Sequence, residues 1–166
     1  MDSFSDLMFI YSRELKNGVI QQAYKGLMDY ISSLRTFIQK NYPGFDVPSN
    51  IYQGYMDMTY FSIIPAALKP RKLKIAVVFV YDSFRFEVWL SGYNRQVQAK
   101  YWQALQNCGL VQYRLVEDPL KADSILEHIL VEDPNFDDMD ELTRQITEGV
   151  LAFIADIESF LDRYDK

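Results

Sequence analysis

The sequence predicts an α+β domain in which a small, mostly antiparallel sheet of three to four strands packs with about five helices. Three observations carry that expectation. Lys74 to Tyr81 is a run of β-branched and aromatic residues, too short for a core helix and apolar enough to be a buried strand. Arg85 to Ser91 then returns with period 2, setting Phe86, Val88 and Leu90 on one face and Arg85, Glu87 and Trp89 on the other. Only Asp82-Ser83-Phe84 lies between them. Three residues cannot make a parallel crossover, so the two strands are expected to pair antiparallel. Finally, Met139, Leu142, Ile146, Val150, Phe153, Ile157, Phe160 and Tyr164 recur at steps of three or four, the signature of one long helix with one buried seam.

The remaining elements follow in chain order. Phe4, Leu7, Met8, Tyr11 and Leu15 have helical spacing, and Asn17-Gly18 stops that helix. Ile20, Ala23, Tyr24, Leu27, Ile31, Leu34 and Ile38 form the apolar stripe of a second, longer helix, ended by Tyr42-Pro43-Gly44. The stretch from there to Asn50 reads as loop. Within Ile51 to Ile64, Tyr52 to Phe61 has strand composition, with Gly54 marking a bulge or a close backbone approach. If it is extended, Tyr52, Met56, Met58 and Tyr60 share one face, and Gln53, Tyr55, Asp57 and Thr59 the other.

After the hairpin, Asn94 sits where a helix N-cap belongs. Val97, Tyr101, Ala104, Leu105 and Cys108 form the inner stripe of the helix it opens, with Arg95, Gln98 and Trp102 beside them. Tyr113 to Val116 reads as a short strand. Asp123 is placed to cap a helix through Ile125, Leu126, Ile129 and Leu130. Asp137 and Asp138 supply the cap and first-turn charge of the last helix, within which Gly149 suggests a close crossing.

Composition narrows the class. At 166 residues the chain is expected to be a single domain, 1–166, with a sizeable core. No run reaches the about 20 apolar residues that span a bilayer, and Met1 to Asp6 lacks the apolar core of a signal peptide, so the expected setting is the cytoplasm, with no membrane partner. The single cysteine, Cys108, excludes an intramolecular disulfide and a cysteine-rich metal site; on the inner stripe it is expected to be a buried structural thiol. The net charge of −6 divides unevenly: residues 1–116 carry +5 and residues 117–166 carry −11. A solvated acidic helix face explains that asymmetry without a nucleic-acid partner.

The stretches Tyr52-Gln53-Gly54-Tyr55-Met56-Asp57-Met58-Thr59-Tyr60-Phe61, Arg85-Phe86-Glu87-Val88-Trp89-Leu90 with Gly92-Tyr93-Asn94, and Glu127-His128-Ile129-Leu130 resemble a family of uncharacterised small single-domain bacterial proteins classed as a domain of unknown function. The resemblance covers nearly the whole chain. It implies a bacterial cytoplasmic protein and brings no activity, cofactor or catalytic residue.

No motif decides whether the protein is an enzyme. The element order is similar to the core of restriction-endonuclease-like nucleases, which place an acid on one core strand and Glu-x-Lys on the next. Here Trp89 stands where that lysine belongs, leaving Asp57, Glu87 and a displaced Lys100 as the hydrolytic alternative. Asp133-Pro134-Asn135-Phe136-Asp137 opens like a calcium loop but lacks its glycine and its closing Glu, and a helix cap explains it. His128 is the only histidine, so no metal site is expected. What remains is a polar–aromatic set of Tyr52, Gln53, Tyr55, Asp57, Glu87, Trp89, Arg95, Gln98 and Trp102. Two readings fit it. Glu87 and Arg95 form an ion pair at the sheet–helix junction, or Arg95 meets a small anionic ligand or an acidic protein segment in a cleft walled by Trp89 and a tyrosine. The favoured expectation is a non-catalytic small-molecule- or protein-binding domain with its cleft beside the hairpin.

Overall fold

In a computed structural model, residues 1–166 are all described, and the chain divides into two compact units, Met1–Leu34 and Arg35–Lys166. The first unit is helical. Helix α1 spans Phe4–Leu15, opened by a capping box in which Ser3 and Asp6 satisfy each other's backbone N–H groups. Gly18, in the left-handed region that suits glycine, turns the chain into α2, Val19–Asn41, whose last turns belong to the second unit. There Arg35 donates to the Val47 and Pro48 carbonyls.

The second unit is built on six strands, all paired antiparallel: β1 (Phe45–Asp46), β2 (Met58–Pro65), β3 (Leu73–Val80), β4 (Arg85–Gly92), β5 (Arg114–Leu115) and β6 (Leu126–Val131). Their order across the sheet is β1-β2-β3-β4-β6-β5. Two more helices complete it, α3 (Arg95–Leu105) and α4 (Met139–Tyr164). The class is the expected α+β, with more strands and fewer helices than the sequence suggests.

The largest correction concerns the helix expected through Ile125 to Leu130: residues Leu126–Val131 form strand β6 instead. Leu126 and Leu130 are four apart, as on a helix face, yet Leu126, His128 and Leu130 also alternate as on a strand. Pairing with β4 on one side and β5 on the other selects the strand. β1, within the stretch read as loop, is two residues long and exists only through its pairing with β2. β2 begins at Met58 rather than near Ile51, because Gly54 and Met56 both adopt positive φ and break the extension. A Cβ on Gly54 would lie 2.1 Å from the Met58 carbonyl oxygen, so the close approach expected there is real.

The hairpin pairs as expected, with one shift. Val80 lies opposite Arg85, so Tyr81 leaves the strand and joins the turn. Its N–H is taken by the Asp57 carbonyl, and Phe84 closes the turn at φ 54°.

The two faces of the sheet differ in kind. One carries Phe61, Ile63, Ile75, Val77, Phe79, Phe86, Val88, Leu90 and Leu126, all buried. Helix α4 lies across it with Leu142, Ile146, Val150, Phe153, Ile157 and Phe160 facing inward, and a Cβ on Gly149 would meet Leu130 at 2.6 Å. That confirms the crossing at Gly149. The ends of the seam, Met139 and Tyr164, are exposed. Asp156 is partly covered because the Tyr113 hydroxyl donates to it. The opposite face carries Tyr60, Lys74, Ala76, Arg85, Glu87, Trp89, Ser91 and Glu127, following the register Lys74↔Ser91, Ala76↔Trp89 and Trp89↔Glu127.

Candidate functional site

On that second face, where β4 runs into α3, lies a cleft of about 410 Å³. Gly92 makes it possible. A Cβ there would come within 2.7 Å of the Gln98 backbone nitrogen, so only glycine lets the strand end lie this close to the first turn of α3. Asn94 caps α3 by accepting from Val97 N–H at 2.9 Å. By helix geometry, the N–H groups of Arg95 and Gln96 then have no partner within the helix.

Gln98 locks the junction. It is 3% exposed; its Oε1 accepts from Gly92 N–H at 2.8 Å, and its Nε2 donates to the Ala122 and Ser124 carbonyls at 3.0 Å each. Without it Gly92 N–H and the Ser124 carbonyl would each lose a partner, while the Ala122 carbonyl would keep only Arg95. With Gln98 drawn inward, α3 buries Gln98, Tyr101 and Leu105; Tyr101 and Leu105 belong to the expected apolar stripe, whereas its Val97 and Ala104 are only half-buried. Helix α3 ends at Leu105, and Cys108 lies beyond it, half-buried rather than buried.

Two stacked tyrosines and a tryptophan form the walls. Tyr52 makes an isolated antiparallel bridge to Tyr60, their rings 5.0 Å apart, and Trp89 stands two strands away. Burial, then the nearby Tyr52 and Asp123, push the Tyr60 phenol up. The charged groups are Lys74, with its ammonium 5.9 Å from the Tyr60 ring centre, Arg95, Asp57 and Asp123. Asp57 is engaged: its Oδ1 accepts from the Tyr55 and Met58 N–H groups, which hold its carboxyl below the usual range. Arg95 gives one donor to the Ala122 carbonyl. Lys74, Arg95 and Asp123 form no ion pair with one another.

Of the residues singled out from sequence, Tyr52, Asp57, Trp89, Arg95 and Gln98 line this cleft. The other four lie elsewhere. Tyr55 is almost fully exposed, and Gln53 offers its carbonyl to the Thr59 hydroxyl. Trp102 donates its indole N–H to the Val116 carbonyl at 2.7 Å, fastening α3 to the 116–125 segment. Glu87 sits in a separate groove of about 290 Å³ with Arg85, Arg114 and Glu127. The ion pair between Glu87 and Arg95 does not form. Glu87 takes Arg85 Nε at 2.9 Å and the Trp89 indole N–H at 3.0 Å instead, because Arg85, two residues earlier on the same strand, shares its face. In the same groove Glu127 accepts from Arg114 and from Ser124.

The residues of the hydrolytic alternative are thus engaged separately. Asp57 is bound by backbone, Glu87 by Arg85 and Trp89, and the Lys100 ammonium lies 5.1 Å from the Tyr101 ring centre. Asp138, in the segment that opens like a calcium loop, caps α4 by accepting from Glu141 N–H.

Lys74, Tyr60 and Asp123 were not singled out from sequence. Lys74 was within reach: two residues before Ala76, it shares the face on which Ala76 lies opposite Trp89. Asp123 had no such signal, since it arrives from a loop held by Ser91, Arg95 and Gln98.

An antiparallel sheet with α4 on one face and a polar–aromatic cleft on the other defines the α+β class of the fold. The chain belongs to the family described as Domain of unknown function (DUF7000), whose model matches residues 4–161. No curated protein and no solved structure matches it. No helix is long and apolar enough to cross a membrane.

Proposed function

We propose that residues 1–166 act as one non-catalytic binding domain, and that the cleft beside β4 and α3 takes a small organic anion with a flat, unsaturated part. The observation that carries this is the company Lys74 and Arg95 keep. Two cations line one cleft without an ion-pair partner, next to the opening of α3, while the other basic residues of this sheet face, Arg85 and Arg114, are already paired with Glu87, Glu132 or Glu127. Trp89 and the Tyr52–Tyr60 stack supply flat apolar walls, and Asp123 offers an acceptor to a hydroxyl or amine elsewhere on the ligand. The family match across 4–161 supports treating both units as one functional domain. The proposed setting, a bacterial cytoplasm, rests on the family resemblance alone.

The test is thermal unfolding of the full chain with aromatic carboxylates, aliphatic dicarboxylates and nucleoside monophosphates. A ligand at about 100 times its Kd stabilises the fold by about 2.7 kcal/mol, a clear shift in Tm. Lys74→Ala and Arg95→Ala should each reduce that shift, and their combination should abolish it, with an unchanged far-UV spectrum. No shift from any of the three classes, or one that survives the double substitution, overturns the reading.

A further inference from the structure

Helix α1 is a second feature the fold leaves unused. None of its residues is buried, and it does not pack along α2. Yet Phe4, Leu7, Met8, Tyr11 and Leu15 form an apolar stripe, and Ile20 and Tyr24 on α2 are exposed too. A helix of this length is marginal in water without a packed face, so a regular, capped α1 calls for a partner surface.

We infer that this stripe is the contact between two copies of the chain, with α1 packed antiparallel on its counterpart. The spacing is self-complementary. About a twofold axis passing between Phe9 and Ile10, position 4 faces position 15 and position 8 faces position 11, so Phe4 meets Leu15 of the second copy and Met8 meets Tyr11. That is the requirement of an isologous dimer.

The area agrees. Phe4, Leu7, Met8 and Tyr11 are 45–77% exposed. At about 150–250 Å² for a large aromatic side chain, and somewhat less for the aliphatic ones, their exposed parts come to roughly 400 Å². That is a patch of the size that marks an interaction site on a monomer. In an interface that is about 65% apolar, the same helix face with its rim spans roughly 600 Å² per partner, or about 1,200 Å² in all, the lower end of the range for specific interfaces. The charge pattern argues against a lipid surface. Membrane-lying helices are rich in Lys and Arg, whereas α1 carries Arg13 against Asp6 and Glu14.

Sedimentation of the full chain over about 1–100 μM, the range of a modest interface, should show a reversible monomer–dimer equilibrium. Met8→Glu with Tyr11→Glu, which sets like charges across the seam, should weaken it by about 100-fold or more. Phe9→Asp, on the opposite side of α1, should leave it intact, and the sheet's unfolding transition should persist in every variant. In a Cys108→Ser background, a Met8→Cys chain mixed with a Tyr11→Cys chain should form the mixed disulfide. A monomer at every concentration overturns the inference, as does a dimer indifferent to Met8→Glu and Tyr11→Glu. So does efficient self-crosslinking of Phe4→Cys, which would require parallel helices, or a monomer that binds anionic vesicles through α1.

Discussion

The two faces of the sheet use the same strands for opposite purposes. On the α4 side, Phe61, Ile63, Ile75, Val77, Phe79, Phe86, Val88, Leu90 and Leu126 are apolar and closed over. On the other face the same strands carry Glu87, 6% exposed, and Glu127, both held in ion pairs and side-chain hydrogen bonds, while Lys74 on β3 and Arg95 at the start of α3 line a cleft with no ion partner. The difference teaches where to look for function. Charges already matched by their neighbours serve the fold, and charges gathered in a cleft with no ion partner are available to something else.

The sharpest test of this division is Phe153→Ala, which removes a fully buried ring from under the sheet. It should cost about 3–5 kcal/mol in urea unfolding and leave the affinity for any cleft ligand unchanged under conditions where the variant is folded. A loss below about 1 kcal/mol would mean that α4 is peripheral. Next is Glu87→Ala. It strands Arg85 and the Trp89 indole N–H, and because Arg85 still reaches both water and Glu132, a loss of about 1–2 kcal/mol is expected. A neutral result would place Glu87 among the groups free for a ligand, and the contrast between the two polar regions would collapse.

A smaller effect should appear with pH. Burial lowers the His128 imidazole below its ordinary value, beside the edge of the Tyr113 ring, whose own phenol burial and then Asp156 push up to about 12. A lowered folded value means that the unfolded chain binds the proton more readily. Stability is therefore full above about pH 6.5 and lost as the pH falls through the folded value. Between pH 7 and 5 the wild type should lose stability, and His128→Gln should flatten that slope; an unchanged slope would assign it to carboxylates. Smallest of all, Lys74→Ala should alter stability by less than about 0.5 kcal/mol, since the lysine keeps only a ring contact, while ligand stabilisation falls sharply. A larger stability loss would move Lys74 from the binding groups to the structural ones.

Where a pattern was long or its pairing local, spacing along the chain was enough to decide the element. The seam of α4 repeats over seven turns, and the β3–β4 hairpin needs only a short turn to find its register, so both were legible, as was the Asn94 cap. The faces of Glu87 and Trp89 followed from period 2. Contacts between distant parts of the chain settled the short segments and the partners of polar groups. Residues 126–131 fit either period and became a strand because β4 and β5 offered ladders on both sides. Gln98 turned inward because three backbone groups brought together from β4 and the 122–124 loop needed its amide. Glu87 took Arg85 rather than Arg95, and Asp123 reached the cleft through loop placement that no local spacing encodes. Backbone periodicity is a property of neighbours in sequence; satisfying a buried polar group is a property of neighbours in space.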